Sequence, residues 1–371
     1  MEKLRNVAQR FQLSGQFAEA HLCQSGHIND TYVVSCRVED GSQVRYILQR
    51  INQNVFKNPE EVMANIQAVT AHLRRKIVEN GGDPERETLN LIPTWEGAIY
   101  VVEDGEVWRA YKFIEGAQTY QVVQNPAHFY HAGKAFGRFQ QLLRDFPAET
   151  LYETIPDFHN TPKRLENFRR AVEADRCGRL KEVQQEVEFV LSRAEDTKPV
   201  EEGIASGSIP VRVAHNDTKF DNILIDDATG EGICVLDLDT VMPGSYLYDF
   251  GDAIRFGAST APEDEQDLRK VNFDIMLFQE FTQGYLSNGV DFMTPAELEL
   301  LAFSARLITL ECGMRFLEDH LNGDRYFRIH RPNHNLDRAR TQFKLVADME
   351  AQYDEMRRIV DAAVAEGRKL A

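Results

Sequence analysis

One stretch of the chain, Val213-Ala214-His215-Asn216-Asp217-Thr218-Lys219-Phe220-Asp221-Asn222, carries the spacing H-x-D-x-x-x-x-N and runs into the apolar segment Ile223-Leu224-Ile225. A turn at Asp226-Asp227-Ala228-Thr229-Gly230 follows. A second apolar run, Ile233-Cys234-Val235-Leu236, then ends in Asp237-Leu238-Asp239. A hairpin of these two runs brings Asp237 back beside Asn222 and leaves Asp217 in the loop before it. Phosphoryl transfer from ATP to a hydroxyl needs these parts. A carboxylate orients and deprotonates the acceptor, oxygen ligands hold Mg²⁺, and the protein takes little covalent part. In this reading Asp217 is the base, Asn222 and Asp237 are the metal ligands, and His215 orients the backbone around Asp217. A lone HxD or a lone Asp-Leu-Asp is usually a solvated turn. Three elements in this order, each at a strand end, point to chemistry.

The elements that must position this loop divide the chain in two. Residues 1–112 alternate strand-like runs with one helical stretch. Thr31–Val38 and Val44–Leu48 flank the turn Glu39-Asp40-Gly41-Ser42, and Ile99–Val102 and Val107–Tyr111 flank Glu103-Asp104-Gly105-Glu106, so two hairpins are predicted. Between them, Val62, Ile66, Val69 and Leu73 give helical spacing over about 59–78. Residues 113–371 are mainly helical. Ala135, Phe136, Phe139, Leu142, Leu143 and Phe146 mark one helix face, and further helices are expected near 164–195, 263–287, 295–318 and 337–368. The exception is a short β interlude at Val211–Val213 and in the hairpin described above. An α+β chain with a small antiparallel-sheet lobe (1–112) before a larger helical lobe (113–371) with one embedded hairpin has the protein-kinase-like bilobal layout.

Composition narrows the partners. The 371 residues have a formal net charge of −17, which argues against nucleic acid, whose phosphates need a basic surface. Phosphates would instead be met by Mg²⁺ on carboxylates. No run of eighteen apolar residues exists, so no membrane span is expected. The N-terminal Met1–Val7 reads as the start of an amphipathic helix rather than a signal peptide. Five scattered cysteines without a CxxC spacing suit a reducing cytoplasm better than a disulfide framework or a zinc site.

The loop resembles the catalytic loop of the aminoglycoside phosphotransferase and choline kinase superfamily. The likeness sharpens with Leu236–Gly244, Tyr248–Thr260, Ser25-Gly26-His27-Ile28-Asn29, Tyr111–Glu115 and Glu311–Phe316. With these the chain resembles, nearly end to end, the bacterial N-acetylhexosamine 1-kinases. The resemblance implies ATP and Mg²⁺ as cofactors and the anomeric hydroxyl of N-acetylglucosamine or N-acetylgalactosamine as acceptor. It implies Asp239 as an auxiliary metal or water ligand, and His27, Phe256 and Arg315 as the lining of the sugar site. It also implies Phe113-Ile114-Glu115 as the hinge whose backbone meets adenine. Gly26 is the one glycine of a thin phosphate loop.

One position departs from the protein-kinase pattern. Where a lysine on the third strand would bind the α- and β-phosphates, Tyr46–Asn52 has Gln49, and strand alternation turns the adjacent Arg50 to the opposite face. Two alternatives stay open. The acceptor could be another small alcohol, such as choline, homoserine or an aminoglycoside, or the chain could be a nucleotide-binding scaffold. Against the scaffold stand Asp217, Asn222 and Asp237 together. A P-loop kinase is excluded because no GxxxxGK[ST] occurs.

Overall fold

The structure, a computed structural model, describes residues 1–23, 28–123 and 125–369. The chain opens with α1 (Glu2–Ala8), followed by β1 (Gln16–Leu22), β2 (Asp30–Arg37), β3 (Gln43–Arg50), α2 (Pro59–Glu79), β4 (Val101–Glu103) and β5 (Glu106–Lys112). The strands form one antiparallel sheet in the order β1-β2-β3-β5-β4. Both predicted hairpins are present; β1, whose exposed, polar run gave no strand signal, adds an edge. Pro59 in the first turn, with Glu60 and Glu61 beside it and Lys76 in the last, matches the fixed φ and the dipole of a helix start and end.

The second lobe begins with β6 (Ala117–Gln118) and α3 (Pro126–Leu143), then α4 (Thr161–Ala174), α5 (Gln184–Leu191) and α6 (Pro199–Ser206). Next come β7 (Arg212–Ala214), β8 (Ile223–Asp226), β9 (Gly232–Val235) and β10 (Met242–Gly244), which frame the H-x-D-x-x-x-x-N loop. The helices α7 (Tyr246–Gly257), α8 (Ile275–Leu286), α9 (Pro295–Leu321), α10 (His334–Ala351) and α11 (Tyr353–Gly367) complete the chain. β8 pairs with both β9 and β6, while β7 pairs with β10. This is the expected sheet lobe followed by a helical lobe with an embedded hairpin.

Three helical expectations change in detail. The stretch 164–195 is two helices, because Asp175 takes a left-handed conformation (φ 32°) that ends α4. The stretch 263–287 is helical only from Ile275, where the Asp274 side chain accepts hydrogen bonds from the Met276 and Leu277 N–H groups as an N-cap. The stretch 337–368 breaks at Gln352 into α10 and α11.

A small apolar cluster (Val7, Phe11, Val34, Leu48, Trp108) joins α1 to one face of the sheet. The largest cluster runs from α2 (Val62, Ile66, Leu73) through Val107 and Tyr111 of β5 into α3, α7, α8 and α9. A third unites α4, α5, α9 and α10. Among the described residues, no helix is long and apolar enough to cross a membrane, and no disulfide joins the five cysteines.

Candidate active site

The loop between β7 and β8 is held by its own backbone before any side chain acts. Asp249, buried on α7, accepts the backbone N–H of His215 at 3.0 Å and of Asn216 at 2.7 Å, and the Gln140 amide of α3 at 2.8 Å. His215, fully buried, bridges to the end of β9 through Nε2 and the Leu236 carbonyl at 2.7 Å, while its Nδ1 accepts the Asp217 N–H at 3.3 Å. The imidazole is thus committed to shaping the loop, as its sequence position suggested. Asn216 adopts φ +65°, a left-handed conformation that costs a non-glycine residue energy. It is kept there by Asp249 and by its amide donating to the Thr240 carbonyl at 2.9 Å.

Asp217 emerges from this turn partly exposed. Its Oδ2 lies 3.1 Å from Lys219 Nζ. The Asn222 amide nitrogen donates to the Asp217 carbonyl at 2.8 Å and approaches its Oδ2 at 3.4 Å, which turns the Asn222 amide oxygen the other way. The Asp217 charge, acting against burial, raises Lys219 above the ordinary lysine value. Register then does what the hairpin reading required: Ile223 pairs with Val235, and Leu236 N–H donates to the Asn222 carbonyl at 2.8 Å. The next residue, Asp237, therefore comes back to the Asn222 end of the loop. Asp237 is itself left-handed, at φ +54°. Burial, then the neighbouring Asp239 and Asp217 carboxylates, push its carboxyl up to about 7.

That crowding of carboxylates is what a divalent cation would relieve. Among the described residues no three His, Cys, Asp or Glu side chains converge into a metal cage. The residues present nevertheless fit Mg²⁺, which takes one or two carboxylates and completes its octahedron with water and phosphate oxygens. Asp239 is placed differently. It is buried, with Oδ1 2.5 Å from Arg109 NH1 and Oδ2 accepting from the Asn29 amide at 2.6 Å.

The remaining sequence-predicted residues fall into two groups. Phe113, Ile114 and Glu115 form the connector from β5 to β6, between sheet lobe and helical lobe. The Phe113 N–H donates to the Arg45 carbonyl at 3.3 Å, and the Glu115 carbonyl accepts from Arg86 at 3.1 Å. The Glu115 carboxylate pairs with Arg45, whose guanidinium lies 4.0 Å from the centre of the Phe113 ring. Phe256, half-buried, ends α7 beside Arg255, which is neutralised by Asp252 and Glu263. Arg315 lies on α9, one turn beyond Glu311 and 3.6 Å from it, within 5.3 Å of the Phe158 ring centre and 5.6 Å of Phe327. Gly26 and His27 lie outside the described residues.

Arg315 reaches the H-x-D-x-x-x-x-N loop by relay. His159 Nε2 touches the Asn216 carbonyl at 3.3 Å and its Nδ1 meets Glu311 at 3.1 Å, both side chains fully enclosed. Arg315 also lines a cavity of about 330 Å³ with Arg164, Arg176, Arg325, Glu318 and Tyr326. A second cavity, of about 300 Å³, adjoins Asn216 and is bordered by Glu153, Asp157 and Glu201.

Sequence reasoning missed Lys219, Arg109 and the His159–Glu311 pair. The first had a signal, a lysine two residues beyond Asp217 in the same loop. The second was a charge inside the apolar run Val107–Tyr111. The third pair is separated by 152 residues and had none.

The model of the phosphotransferase enzyme family (APH) matches residues 19–283. Among solved structures, a microcompartment-associated aminopropanol kinase superposes with TM-score 0.58 at 14% identity, covering 96% of this chain and 98% of its own. An aminoglycoside phosphotransferase from Alicyclobacillus acidocaldarius gives 0.59 at 14%, covering 96% of each chain. Amicoumacin kinase in complex with AMP-PNP, Ca²⁺ and Ami gives 0.59 at 13%, covering 95% and 93%. At such identities these three speak for the fold alone; the match over residues 19–283 carries the family, and the chain belongs to the phosphotransferase enzyme family.

Proposed function

We propose that this phosphotransferase moves the γ-phosphoryl group of ATP to the anomeric (C1) hydroxyl of N-acetylglucosamine or N-acetylgalactosamine. Asp217 accepts the hydroxyl proton as the acceptor oxygen bonds to the γ-phosphorus and the bond to the bridging oxygen breaks, releasing ADP. Lys219, paired with Asp217, would offer its cation to the transferred group. Asn222 and Asp237 would hold Mg²⁺, which when bound supplies charge neutralisation at the phosphates. The connector Phe113–Glu115 would receive adenine. The nucleotide analogue bound by amicoumacin kinase supports an ATP site in this fold. The use of ATP in this reading goes with a cytoplasmic location, as the scattered cysteines without a CxxC spacing suggested.

The acceptor assignment rests on the likeness to the N-acetylhexosamine 1-kinases, and the cavity beside Arg315, linked to the H-x-D-x-x-x-x-N loop through Glu311 and His159, supports it. Arg164, Arg176, Arg315 and Arg325 meet there with the Tyr326 and Phe327 rings. With four guanidinium groups against the carboxylates of Glu318 and Asp319, the lining stays net cationic and disfavours an ammonium group. It suits a neutral ligand with many oxygens, since guanidinium N–H groups donate to hydroxyl and acetamido oxygens while an aromatic face covers C–H groups. Phe256 and His27 complete the set we assign to the sugar. A second reading rests on the other cavity: Glu153, Asp157 and Glu201 beside Asn216 would suit an amine-bearing alcohol. The aminopropanol kinase of the same fold acts on such a compound by its name.

The test is ADP release from Mg-ATP by the native enzyme and Asp217→Asn. The acceptor panel holds both N-acetylhexosamines, glucose, choline, homoserine, aminopropanol and an aminoglycoside. Turnover with the N-acetylhexosamines, a product without a reducing end, and a loss of about 10²–10⁴-fold in the variant are expected. Turnover only with an amine-bearing acceptor would transfer the assignment to the acid-lined cavity. Silence across the panel would favour a nucleotide-binding scaffold.

A further inference from the structure

The position of Gln49 has a structural answer on the neighbouring strand. β3 and β5 pair so that Gln49 lies opposite Arg109. The Arg109 Nε donates to Gln49 Oε1 at 3.0 Å, and Gln49 Nε2 donates onward to Thr31 Oγ1 of β2 at 2.9 Å. Three strands of the sheet thus fix one guanidinium. Its NH1 reaches 2.5 Å from Asp239 Oδ1, with side-chain exposures of 1% and 3%. The other Asp239 oxygen accepts from the Asn29 amide at 2.6 Å, and Asn29 Oδ1 in turn accepts the Asn52 N–H at 2.9 Å. Two side chains of the sheet lobe therefore grip one carboxylate of the helical lobe.

That carboxylate stands two residues beyond Asp237, which sits in a left-handed conformation (φ +54°) with the short 3-10 turn Leu238–Thr240 behind it. Moving Asp239 would rotate the strained Asp237 backbone directly. A buried ion pair is a weak source of net stability, yet losing one partner strands a charge in the interior, so the pair tolerates little displacement.

We propose that Arg109 and Asp239 form a buried latch between the lobes, which fixes Asp237 at its metal-binding position relative to the nucleotide-binding sheet. Arg109, cross-strand partner of the Gln49 that stands where a lysine was expected, fastens the lobes, and Asp239 is a positioning residue with Oδ1 in the ion pair and Oδ2 on Asn29. The inference rests on the reading of Asp237 as a Mg²⁺ ligand.

The experiment measures ADP binding by calorimetry with and without Mg²⁺, together with kcat and KM for ATP. The proteins are the native enzyme, Arg109→Met, Asp239→Asn, their double variant, and Gln49→Lys combined with Arg109→Met. Thermal melts confirm folding. In Arg109→Met, the Mg²⁺-dependent part of ADP affinity and kcat should fall about 10–100-fold, as for residues that orient a metal ligand. Metal-free ADP binding should stay within about threefold, since it depends on the connector rather than on Asp237. The double variant should be no worse than the worse single one. A lysine at 49, in the cross-strand position opposite residue 109, should recover most of the loss. If Arg109→Met does not fold, the rescued variant and Asp239→Asn still decide the matter through the Mg²⁺ dependence. Equal loss of metal-free and Mg²⁺-dependent binding, or no recovery with lysine, would overturn the latch. A native enzyme whose ADP binding ignores Mg²⁺ would instead remove the metal-site reading beneath it.

Discussion

At the scale of single residues, the H-x-D-x-x-x-x-N loop is backed by a buried contact remote in sequence. His159 is enclosed between the Asn216 carbonyl and Glu311, with the Tyr248 ring 5.2 Å away and Arg315 and Asp252 close enough for their charges to act on it. Burial disfavours its imidazolium, but the Glu311 carboxylate outweighs burial and leaves His159 raised above 6.5. Burial likewise works against the Glu311 charge, and His159, then Arg315, outweigh it, so Glu311 is lowered. A raised histidine contributes stability that is present below its unfolded value and is lost as pH rises through the folded one. A lowered glutamate contributes stability that is lost only in acid. The melting temperature should therefore fall as pH rises above about 6.5, and Glu311→Gln should flatten that slope while costing about 3 kcal/mol near neutrality. Comparing the two proteins cancels other groups that titrate in the same range. Parallel melting curves across pH would refute the argument. His215 and Asp217 were legible because four intervening residues place Asn222 at the strand start. His159 and Glu311 were not, because nothing local marks a pair joined only by folding.

At the scale of elements, α3 and α8 cross so closely that three glycines make the contact. A methyl group at Gly137 would overlap the Tyr285 carbonyl oxygen, one at Gly133 the Phe281 carbonyl, and one at Gly284 the Tyr130 carbonyl. These are backbone atoms, which cannot swing aside. The crossing matters because Gln140, one turn after Gly137, links α3 to α7: its carbonyl accepts from Tyr246 at 2.8 Å and its amide reaches Asp249, the loop anchor. Gly137→Ala should destabilise the protein by about 1–3 kcal/mol in chemical denaturation, the usual cost of overpacking. An unchanged midpoint would mean that the helices can part without cost. The apolar face of α3 was legible from its spacing. The break between α10 and α11 was not, since no strong breaker marks Gln352, whereas Gly178, left-handed at φ +64° just after Asp175, was a signal for the break between α4 and α5.

At the scale of the whole molecule, the sheet lobe and helical lobe share their largest core. Val62, Ile66 and Leu73 of α2, with Val107 and Tyr111 of β5, belong to the same cluster as Phe136, Phe250, Phe281 and Leu301 of the helical lobe. The Asn65 amide of α2 also donates to the Tyr152 carbonyl at 2.8 Å and the Val241 carbonyl at 3.0 Å, so the helix is tied to the far side by polar bonds as well. A boundary at residue 112 separates secondary structure but not core. Calorimetric unfolding should therefore give one cooperative transition, with calorimetric and van't Hoff enthalpies in agreement. Two resolved peaks would show that the lobes hold their stability separately.

The sequence by itself determined the order of the lobes, the two hairpins of the first, and the loop that carries Asp217, Asn222 and Asp237. These rest on short-range spacing, and antiparallel pairing of adjacent strands turns spacing directly into position. Only the tertiary structure decided which charges meet across the chain. Arg109 finds Asp239 because sheet register and the left-handed turn at Asp237 bring together residues 130 positions apart. His159 finds Glu311 because α9 packs behind the loop, and four arginines from two distant regions, at α4 and at the end of α9, converge on one cavity. A buried charge must be neutralised or hydrogen-bonded wherever it lies. That requirement says that a partner exists, and only the packing says which one.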